Sequence, residues 1–390
     1  MRLRRRYLLL VPAVGTYFTT LFARLVLSPV VPDIIAAFDS SKTAVGLAFT
    51  GMWAAYALVQ YPAGALADRH GERLLVLASI VATGAASLLV AGAPVYPLFL
   101  LATALLGASA GVYAPAGTSL LAKRFASRGF ALSLHVAGAN VAGLVAPVAA
   151  AYVAVRYGWR AAPILTLGLV VPLFFLSVVL IRPTTPAEPG ATLRSRLSPG
   201  AAVSVLSRPS IAFTAAVGTV GVFTFNAVAS FLTTFLIEFR GLSTTAAGAA
   251  FGVVYLLSAT TMPLMGRAAD RFDRDHAIAA SFCAVATGLA LLVLGRGVVP
   301  ALAAVVVLGA GISWGGSVQS RYMDHLSDAE RGTGFGLVRS VTGLAGSVGS
   351  VVVGAVSEHS GWPAAYGLVI GLLLVVVVGM ALNRSVGRGW

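Results

Sequence analysis

The sequence predicts an all-α membrane protein with twelve transmembrane helices in two six-helix halves. Hydrophobic residues make up 58% of the 390-residue chain and only 10% are charged, a composition that cannot cover the surface of a soluble fold with polar groups. Apolar runs of about 20 residues, long enough to cross a bilayer, recur along the chain. Short motifs of the first half also return in the second half. The lipid bilayer is therefore the first predicted partner of the chain.

The repeat is visible in motifs that recur about 200 positions apart. Residues 64–69 read G-A-L-A-D-R and residues 266–271 read G-R-A-A-D-R, and the pair G-W occurs at 158–159 and again at 361–362. An offset that holds along both halves indicates a duplicated unit. We therefore expect a first half at residues 1–181, a cytoplasmic linker at 182–209, and a second half at 210–390.

The helices of the first half follow six apolar runs that end at charged or turn-forming residues. The first run follows the basic segment 1–6. It continues for about 25 residues without a small-residue cleavage site, so it is predicted as a membrane helix and not as a signal peptide. Glycine and proline inside such runs are tolerated in membrane helices. The predicted helices cover residues 7–31, 43–66, 74–93, 97–121, 130–154 and 161–181.

The helices of the second half follow the same alternation of apolar runs and polar breaks. The charged residues at 267–275 separate its second and third runs, as those at 68–73 separate their counterparts in the first half. The predicted helices cover residues 210–237, 246–265, 277–294, 299–320, 333–356 and 363–383.

The distribution of Lys and Arg predicts the orientation in the membrane. Twenty of these residues fall on the side that carries both termini, and five fall on the other side. Because cytoplasmic loops are enriched in Lys and Arg, both termini are expected in the cytoplasm of a multi-pass plasma-membrane protein. The net charge of +14 is therefore a topology signal. Since the Arg residues form no continuous basic face with interleaved aromatics, no nucleic-acid partner is predicted.

Several function classes find no support in the sequence. The single cysteine, Cys283, lies in an apolar run, so neither a disulfide framework nor a metal-binding cluster is predicted. The helices contain no grouping of nucleophile, base and orienting residue, so we expect no enzyme activity and no catalytic residues. There is no nucleotide-binding loop of the G-x-x-x-x-G-K type. We therefore expect no cofactor, and energy from an ion gradient or from exchange.

The run from Gly64 to Arg73 reads G-A-L-A-D-R-H-G-E-R and lies between the second and third predicted helices. We therefore expect this run to form the cytoplasmic loop between these two helices. It is similar to the signature loop of the major facilitator superfamily, G-x-L-A-D-R-x-G-x-R, and a weaker copy lies between helices eight and nine. The resemblance implies the major facilitator fold and a latch that closes the cytoplasmic side; the alternative is a solvated loop with topogenic charge. The latch residues so implied are Gly64, Asp68, Arg69, Gly71, Arg73, Gly266, Asp270 and Arg271.

Arg24 is the main candidate for binding a substrate. It lies nine residues before Asp33, which is about 13 Å along a helix and places it near the bilayer midplane. Because a charged side chain in the middle of a membrane is costly, a residue such as Arg24 at that depth is expected to have a functional role. No carboxylate is predicted inside a helix, so a substrate anion is its natural counter-ion, and a guanidinium suits carboxylate or phosphate. The alternative is that Arg24 pairs with backbone carbonyls, with Asn226 or with another polar side chain.

Two further ionisable side chains lie inside predicted helices. Arg339 is about 10 Å from the cytoplasmic end of its helix, so it either binds the substrate or reaches the interface. His135 is either a hydrogen-bonded structural residue or a proton relay. Asp33 and Glu238, near the outer helix ends, are fallback candidates for proton coupling, although solvation at the surface is the alternative.

A second resemblance concerns the first helix. Arg24 to Pro32 reads R-L-V-L-S-P-V-V-P and looks like the R-x-x-L-S-x-x-x-P pattern of the anion:cation symporter branch, in which the Arg is implicated in binding organic anions. That branch usually has Asp before the Arg, and this chain has Ala23. The departure removes the acid that would couple transport to protons.

Polar faces of two other helices are expected to contribute to the cavity wall. Trp53, Tyr56 and Gln60 share one helical face, and Asn226 heads a similar face on helix seven, at the position that the repeat pairs with Arg24. Further candidates on their own helices are Tyr17, Tyr113, Tyr255, Trp314 and Gln319. Helix packing is the alternative role for each of these residues.

The sequence therefore predicts a secondary active transporter of a small organic anion. A multidrug or hydrophobic-compound exporter is the alternative, although the glycine-rich and basic signatures of exporters are degraded at 104–108 and 146–150. A non-transporting receptor or a membrane enzyme is the third reading. The predicted partners are an anionic small molecule and a coupling ion. A monomer is expected, because one chain forms a complete two-half unit.

Overall fold

The computed structural model describes residues 7–125, 127–186, 204–327 and 333–386, and within these ranges the chain is helical and contains no strand. Apolar helices long enough to cross a membrane follow one another along the chain. We number the first ten α1 to α10. They are Leu10–Ala37, Lys42–His70, Glu72–Gly92, Tyr96–Arg124, Arg128–Tyr157, Ala161–Leu180, Pro209–Glu238, Thr244–Arg271, Arg274–Leu294 and Val299–His325.

The last apolar segment, Gly334–Ser385, is 52 residues long. At 1.5 Å per residue a straight helix of that length would measure about 78 Å, more than twice the hydrocarbon thickness of a bilayer. Gly361, with φ 81° and ψ 168°, interrupts it, a conformation that glycine adopts without a steric cost. The segment therefore crosses twice, as α11 (334–360) and α12 (362–385). The described residues thus contain the twelve crossings that the sequence predicts.

Two predicted boundaries are wrong in an informative way. The latch motif was expected in a loop, but residues up to His70 belong to the last turns of α2, and only Gly71, with φ 87°, forms the turn before α3. Likewise, Gly266 to Arg271 are the end of α8. Apolar runs end with the hydrocarbon, whereas a helix continues into the polar interface while its backbone hydrogen bonds persist.

Helix α1 is also longer than expected, because it continues past a break. Its first α-helical part ends at Leu25, a 3₁₀ turn covers Ser28–Val30, and helix resumes at Val31. Pro29 and Pro32 lie in this stretch, and proline lacks the N–H that would continue the hydrogen-bond ladder. The break directly follows Arg24, so it lies beside the candidate site.

Small residues allow the helices to approach closely. An added Cβ at Gly107 of α4 would overlap the carbonyl oxygen of Met52 of α2, and one at Gly111 would lie 2.6 Å from that of Tyr56. Helices α5 and α8 meet in the same way, since a Cβ at Gly248 would lie 2.8 Å from the Pro147 oxygen. Close contact between small residues is a main source of helix association in membranes.

We call the end of the bundle near both termini the terminal end, and the end near the α1–α2 and α7–α8 turns the distal end. At the distal end, α1 and α2 bond directly to α7 and α11. The hydroxyl groups of Ser28 and Thr233 are 2.9 Å apart, and Thr50 donates to the carbonyl of Ser347 at 3.0 Å. The first six and last six helices are therefore joined at this end.

The predicted polar face of α7 belongs to this distal contact. Asn226 donates from its side-chain nitrogen to the carbonyl of Gly346 at 3.2 Å, and Ser230 bonds to the hydroxyl of Ser350 at 2.8 Å. All four residues are buried. Asn226 therefore joins α7 to α11 in this structure, and the substrate contact expected of it stays a prediction.

Part of the predicted domain division falls on residues that the structure does not cover. Residues 187–203 of the predicted linker and the basic segment 1–6 of the first half lie outside the described residues.

Candidate functional site

Arg24 is buried near the break of α1, with 4% of its surface exposed. Its Nε donates to the carbonyl of Thr20 at 3.1 Å. The guanidinium carbon lies 4.3 Å from the ring centroid of Tyr56 and 4.7 Å from that of Trp53, which is cation–π geometry. Within the described residues, no carboxylate forms an ion pair with Arg24. The charge is thus held by aromatic faces, one carbonyl and the phenol of Tyr56.

The spacing on α2 explains why two aromatic rings meet Arg24. Trp53 and Tyr56 are separated by three residues and therefore share one helical face, and their rings lie 6.3 Å apart at 88°. The third predicted member, Gln60, donates from its amide to the carbonyl of Tyr56 at 3.2 Å. The structure therefore places Trp53 and Tyr56 against Arg24, while the amide of Gln60 bonds to its own helix.

Two hydrogen-bond donors at this site have no protein partner. Nη1 of Arg24 and Nε1 of Trp53 are both buried and without an acceptor. Buried donors in native proteins are nearly always paired with protein or water, because an unpaired one costs about 1–3 kcal/mol. The site around Arg24 therefore has more buried donors than acceptors. An anion, which supplies only acceptors, has the chemistry that would pair with these donors.

Arg339 approaches the same place from the other half of the bundle. Its guanidinium on α11 lies close to the phenols of Tyr56 and Tyr17. The side chain is nevertheless exposed. A side chain that has neighbours on α1 and α2 and still contacts solvent lines an opening between these helices. We call Arg24, Trp53, Tyr56, Arg339 and Tyr17 the central cluster.

Tyr17, one of the aromatic side chains expected at the cavity wall, is a member of the central cluster. It lies seven residues before Arg24, two helical turns away and therefore on the same face of α1. Its ring stacks on His135 with 4.3 Å between centroids and 7° between planes. The signal was thus present in the sequence, as a polar aromatic residue in register with a buried Arg.

The three predicted proton-coupling residues are dispersed. His135 on α5 is buried behind Tyr17, and its Nδ1 lies 3.4 Å from the hydroxyl of Tyr113. Asp33 is exposed on α1. Glu238 lies at the distal end, where it forms an ion pair with Lys42 at 2.7 Å and accepts a hydrogen bond from Trp362 at 3.1 Å. Only His135 contacts the central cluster.

The predicted latch residues lie at the terminal end. Gly64 faces Pro115 of α4, with 3.6 Å from an added Cβ, and Arg73 donates to the carbonyl of Val178 at 3.0 Å. Asp68 is half-buried and Arg69 is exposed. In the second copy, Gly266 is half-buried, Asp270 and Arg271 are exposed, and the Arg271 guanidinium lies 5.7 Å from the Phe272 ring.

An ion pair near each motif was not expected from the sequence. Glu72, inside the first motif, is fully buried and accepts hydrogen bonds from Ser119 at 2.9 Å and from Lys123. In the second half, Arg321 bonds to Asp275 at 2.6 Å. Both acids begin the third helix of their half and both bases lie on the fourth. Each of the two ion pairs joins residues that are distant in sequence, so no local sequence pattern indicates these pairs.

Twelve apolar helices around the central cluster define a multi-pass membrane protein with a polar centre. The family model of the Major Facilitator Superfamily matches this chain over residues 13–320 and 241–388. The chain belongs to this superfamily, and the resemblance predicted from the motif at 64–73 is confirmed.

Solved structures share the whole fold at low sequence identity. A bacterial homologue of the human lysosomal transporter Spinster, in an inward-facing and occupied conformation, has a TM-score of 0.80 at 15% identity, covering 99% of this chain and 97% of its own. The nucleoside transporter NupG gives 0.79 at 14%, covering 96% and 99%. The human organic anion transporter MFSD10 gives 0.73 at 18%, covering 96% and 99%. All three of these similar structures are transporters by name.

Curated relatives match only part of the chain. The membrane sensor protein UhpC of Salmonella typhimurium is 28% identical over 158 residues, which are 40% of this chain and 36% of UhpC. UhpC of Escherichia coli is 28% identical over 159 residues, with the same shares. The chain therefore aligns with little more than a third of the length of these relatives.

Proposed function

We propose that this superfamily member is a secondary active transporter that moves a small organic anion by alternating access, with Arg24 as the main anion contact and Arg339 as the second. The observation that carries the proposal is the burial of Arg24 without a carboxylate partner among the described residues and with an unpaired Nη1. A buried charge needs compensation, and a bound anion supplies it.

Alternating access is supported by the unequal ends of the bundle. Hydrogen bonds between Ser28 and Thr233 and between Thr50 and Ser347 close the distal end, whereas Arg339 is exposed on the terminal side of that contact. This arrangement fits a site that faces the terminal end, which the excess of Lys and Arg assigns to the cytoplasm. Rocking of one half against the other would then open the distal end.

The terminal-end motifs are proposed to close that side when the site faces out. Asp68, Arg69 and Arg73, with Gly64 and Gly71, would form the latch of the first half. Gly266, Asp270 and Arg271 would form a second, weaker latch. The proposal rests on the match of the motif and on its place at the ends of α2 and α8.

Coupling is proposed to come from an ion gradient or from exchange of anions. His135 is the candidate proton site, because its ring stacks on Tyr17 of the central cluster. Asp33 and Glu238 remain secondary candidates at the distal end. We also propose that the protein acts as a monomer in the plasma membrane, with both termini in the cytoplasm.

A non-transporting receptor is the second candidate function. It is favoured by one observation, the partial match to a relative named a membrane sensor protein. A receptor would bind its ligand at the same cluster without moving it across the membrane, so binding alone does not separate the two candidates.

A thermal-shift screen tests the anion proposal. The purified protein is heated with carboxylates, phosphate esters, inorganic anions or hydrophobic cations. A ligand that binds only the folded state, present at about 100 times its Kd, adds about 2.7 kcal/mol to the stability, so Tm should rise by several degrees with at least one organic anion. If only hydrophobic cations raise Tm, the exporter alternative replaces the proposal.

A further inference from the structure

A third unpaired donor lies beside the central cluster. The hydroxyl of Tyr255 on α8 is buried and has no hydrogen-bond partner, and the phenol is close enough to Arg24 for the two to interact electrostatically. The side chain is 6% exposed, against 4% for Arg24 and 7% for Trp53. Three helices, α1, α2 and α8, therefore each contribute one buried donor without an acceptor.

Tyr255 is held firmly in this position. Its ring packs against Gly143 of α5 so closely that a Cβ there would overlap it. Phe251 and Phe225 hold the ring from other sides, with centroid distances of 5.3 Å and 6.4 Å. The unpaired hydroxyl thus results from a packed ring that cannot turn away to find another partner.

The three donors limit the chemistry of the ligand head group. A guanidinium and an indole nitrogen can only donate, whereas a phenol donates one hydrogen and can also accept. The group that satisfies all three donors must therefore supply acceptors, as a carboxylate does. Several ligand hydroxyl groups would find only the Tyr255 oxygen as an acceptor among these three side chains.

The surroundings of Tyr255 limit the body of the ligand. Phe225 bridges the site, since its ring lies 5.8 Å from Trp53 as well as against Tyr255. A void of about 10 Å³ next to Tyr255 is lined by apolar side chains. An apolar void stays dry, so it offers no water to the hydroxyl. Its lining residues are Phe225, Val228, Ala229, Phe251, Val254, Tyr255 and Ile312.

We infer that the substrate is an apolar monocarboxylate, whose carboxylate is held by Arg24, Trp53 and Tyr255 and whose aryl or alkyl body packs beside the half-buried ring of Phe225. This inference rests on the proposed anion transport and narrows it. It disfavours polyhydroxylated anions, since each buried hydroxyl without a partner costs about 1–3 kcal/mol.

The experiment measures Kd by titration of the full-length protein in lipid nanodiscs. The ligands are phenylacetate and hexanoate, the polyhydroxylated gluconate and glucose 6-phosphate, and the neutral phenylacetamide. We expect phenylacetate to bind at least about tenfold more tightly than gluconate, which corresponds to one unpaired group at about 1.4 kcal/mol. Phenylacetamide should not bind measurably.

Two variants test the donors, with a matched control. Tyr255→Phe removes only the hydroxyl, and Trp53→Phe keeps a ring against Arg24 but removes the N–H. Each should weaken phenylacetate binding about tenfold, as expected for a hydrogen bond to a charged group. Tyr366→Phe is the control, because the Tyr366 hydroxyl on α12 is also buried and unpaired but packs with Phe235 and Trp362. It should leave Kd unchanged.

The outcomes separate this inference from the proposed function. If anions bind in an Arg24-dependent manner but gluconate binds as tightly as phenylacetate, the apolar class is wrong and anion transport stands. If Tyr255→Phe behaves like Tyr366→Phe, Tyr255 does not hold the carboxylate, so the inferred head-group site is wrong and anion transport again stands. If no anion binds the wild type, both the inference and the proposed function are overturned.

Discussion

Replacing Arg24 by alanine is expected to weaken the binding of an organic anion by at least about 100-fold, which corresponds to the loss of two charge-assisted hydrogen bonds. The residue is 4% exposed and lies against Trp53 and Tyr56, so its charge is only weakly screened by water and salt. The measurement is Kd by titration, with the thermal shift of the same variant as a second readout.

Arg24→Lys and Arg156→Ala are the informative companions. Lysine keeps the charge but not the planar guanidinium that lies against two rings, so we expect it to recover only a small part of the affinity. Arg156 also lies over an aromatic ring, 3.9 Å from Tyr152, but it is exposed on α5, and Arg156→Ala should bind like the wild type. Equal Kd values for wild type and Arg24→Ala would show that the guanidinium does not contact the anion.

Gly107→Val is expected to cause the largest loss of stability. The added side chain would overlap the carbonyl oxygen of Met52, a backbone atom of α2 that cannot move without separating α2 from α4. Overpacking of a tight interior typically costs about 1–3 kcal/mol, and more where a backbone must shift. The expected result is a Tm lowered by many degrees, or loss of the monodisperse peak in size-exclusion chromatography.

Gly168→Val is the matched control for this change. Gly168 is also in the middle of a membrane helix, α6, but an added Cβ there meets no atom within 4 Å. Its Tm should stay within a few degrees of the wild type. If both variants behave alike, the close contact between α2 and α4 is not a major source of stability.

Much of the fold follows from the sequence. The thickness of the bilayer sets the length of each membrane helix, and the duplication shows that the helices of the second half follow one another as those of the first half do. Where the predicted helix boundaries were wrong, the reason lies in the local structure. The helical ends of α2 and α8 extend beyond the hydrocarbon, and α1 resumes after Pro29 and Pro32. The hydropathy of a segment indicates which residues suit the lipid but not where the backbone hydrogen bonds of a helix end, so it could not locate the ends of these helices.

The site was predictable where one helix carries the signal. Arg24 is a charge in an apolar run, and Trp53 and Tyr56 share a helical face. Contacts between helices were not predictable, because they depend on rotation and packing. This is why Tyr255 was not singled out as a contact of Arg24, and why the hydrogen bond between Asn226 and Gly346 of α11 was not expected.

The measurement that tests the central claim most directly is counterflow in proteoliposomes. Vesicles containing the purified protein are loaded with unlabelled phenylacetate and diluted into a trace of labelled phenylacetate, without an ion gradient. A transporter that works through Arg24 will accumulate label transiently in wild-type vesicles and not in Arg24→Ala vesicles. Binding of phenylacetate without accumulation in wild-type vesicles would contradict transport and point to a receptor, and equal accumulation in both would remove Arg24 from the mechanism.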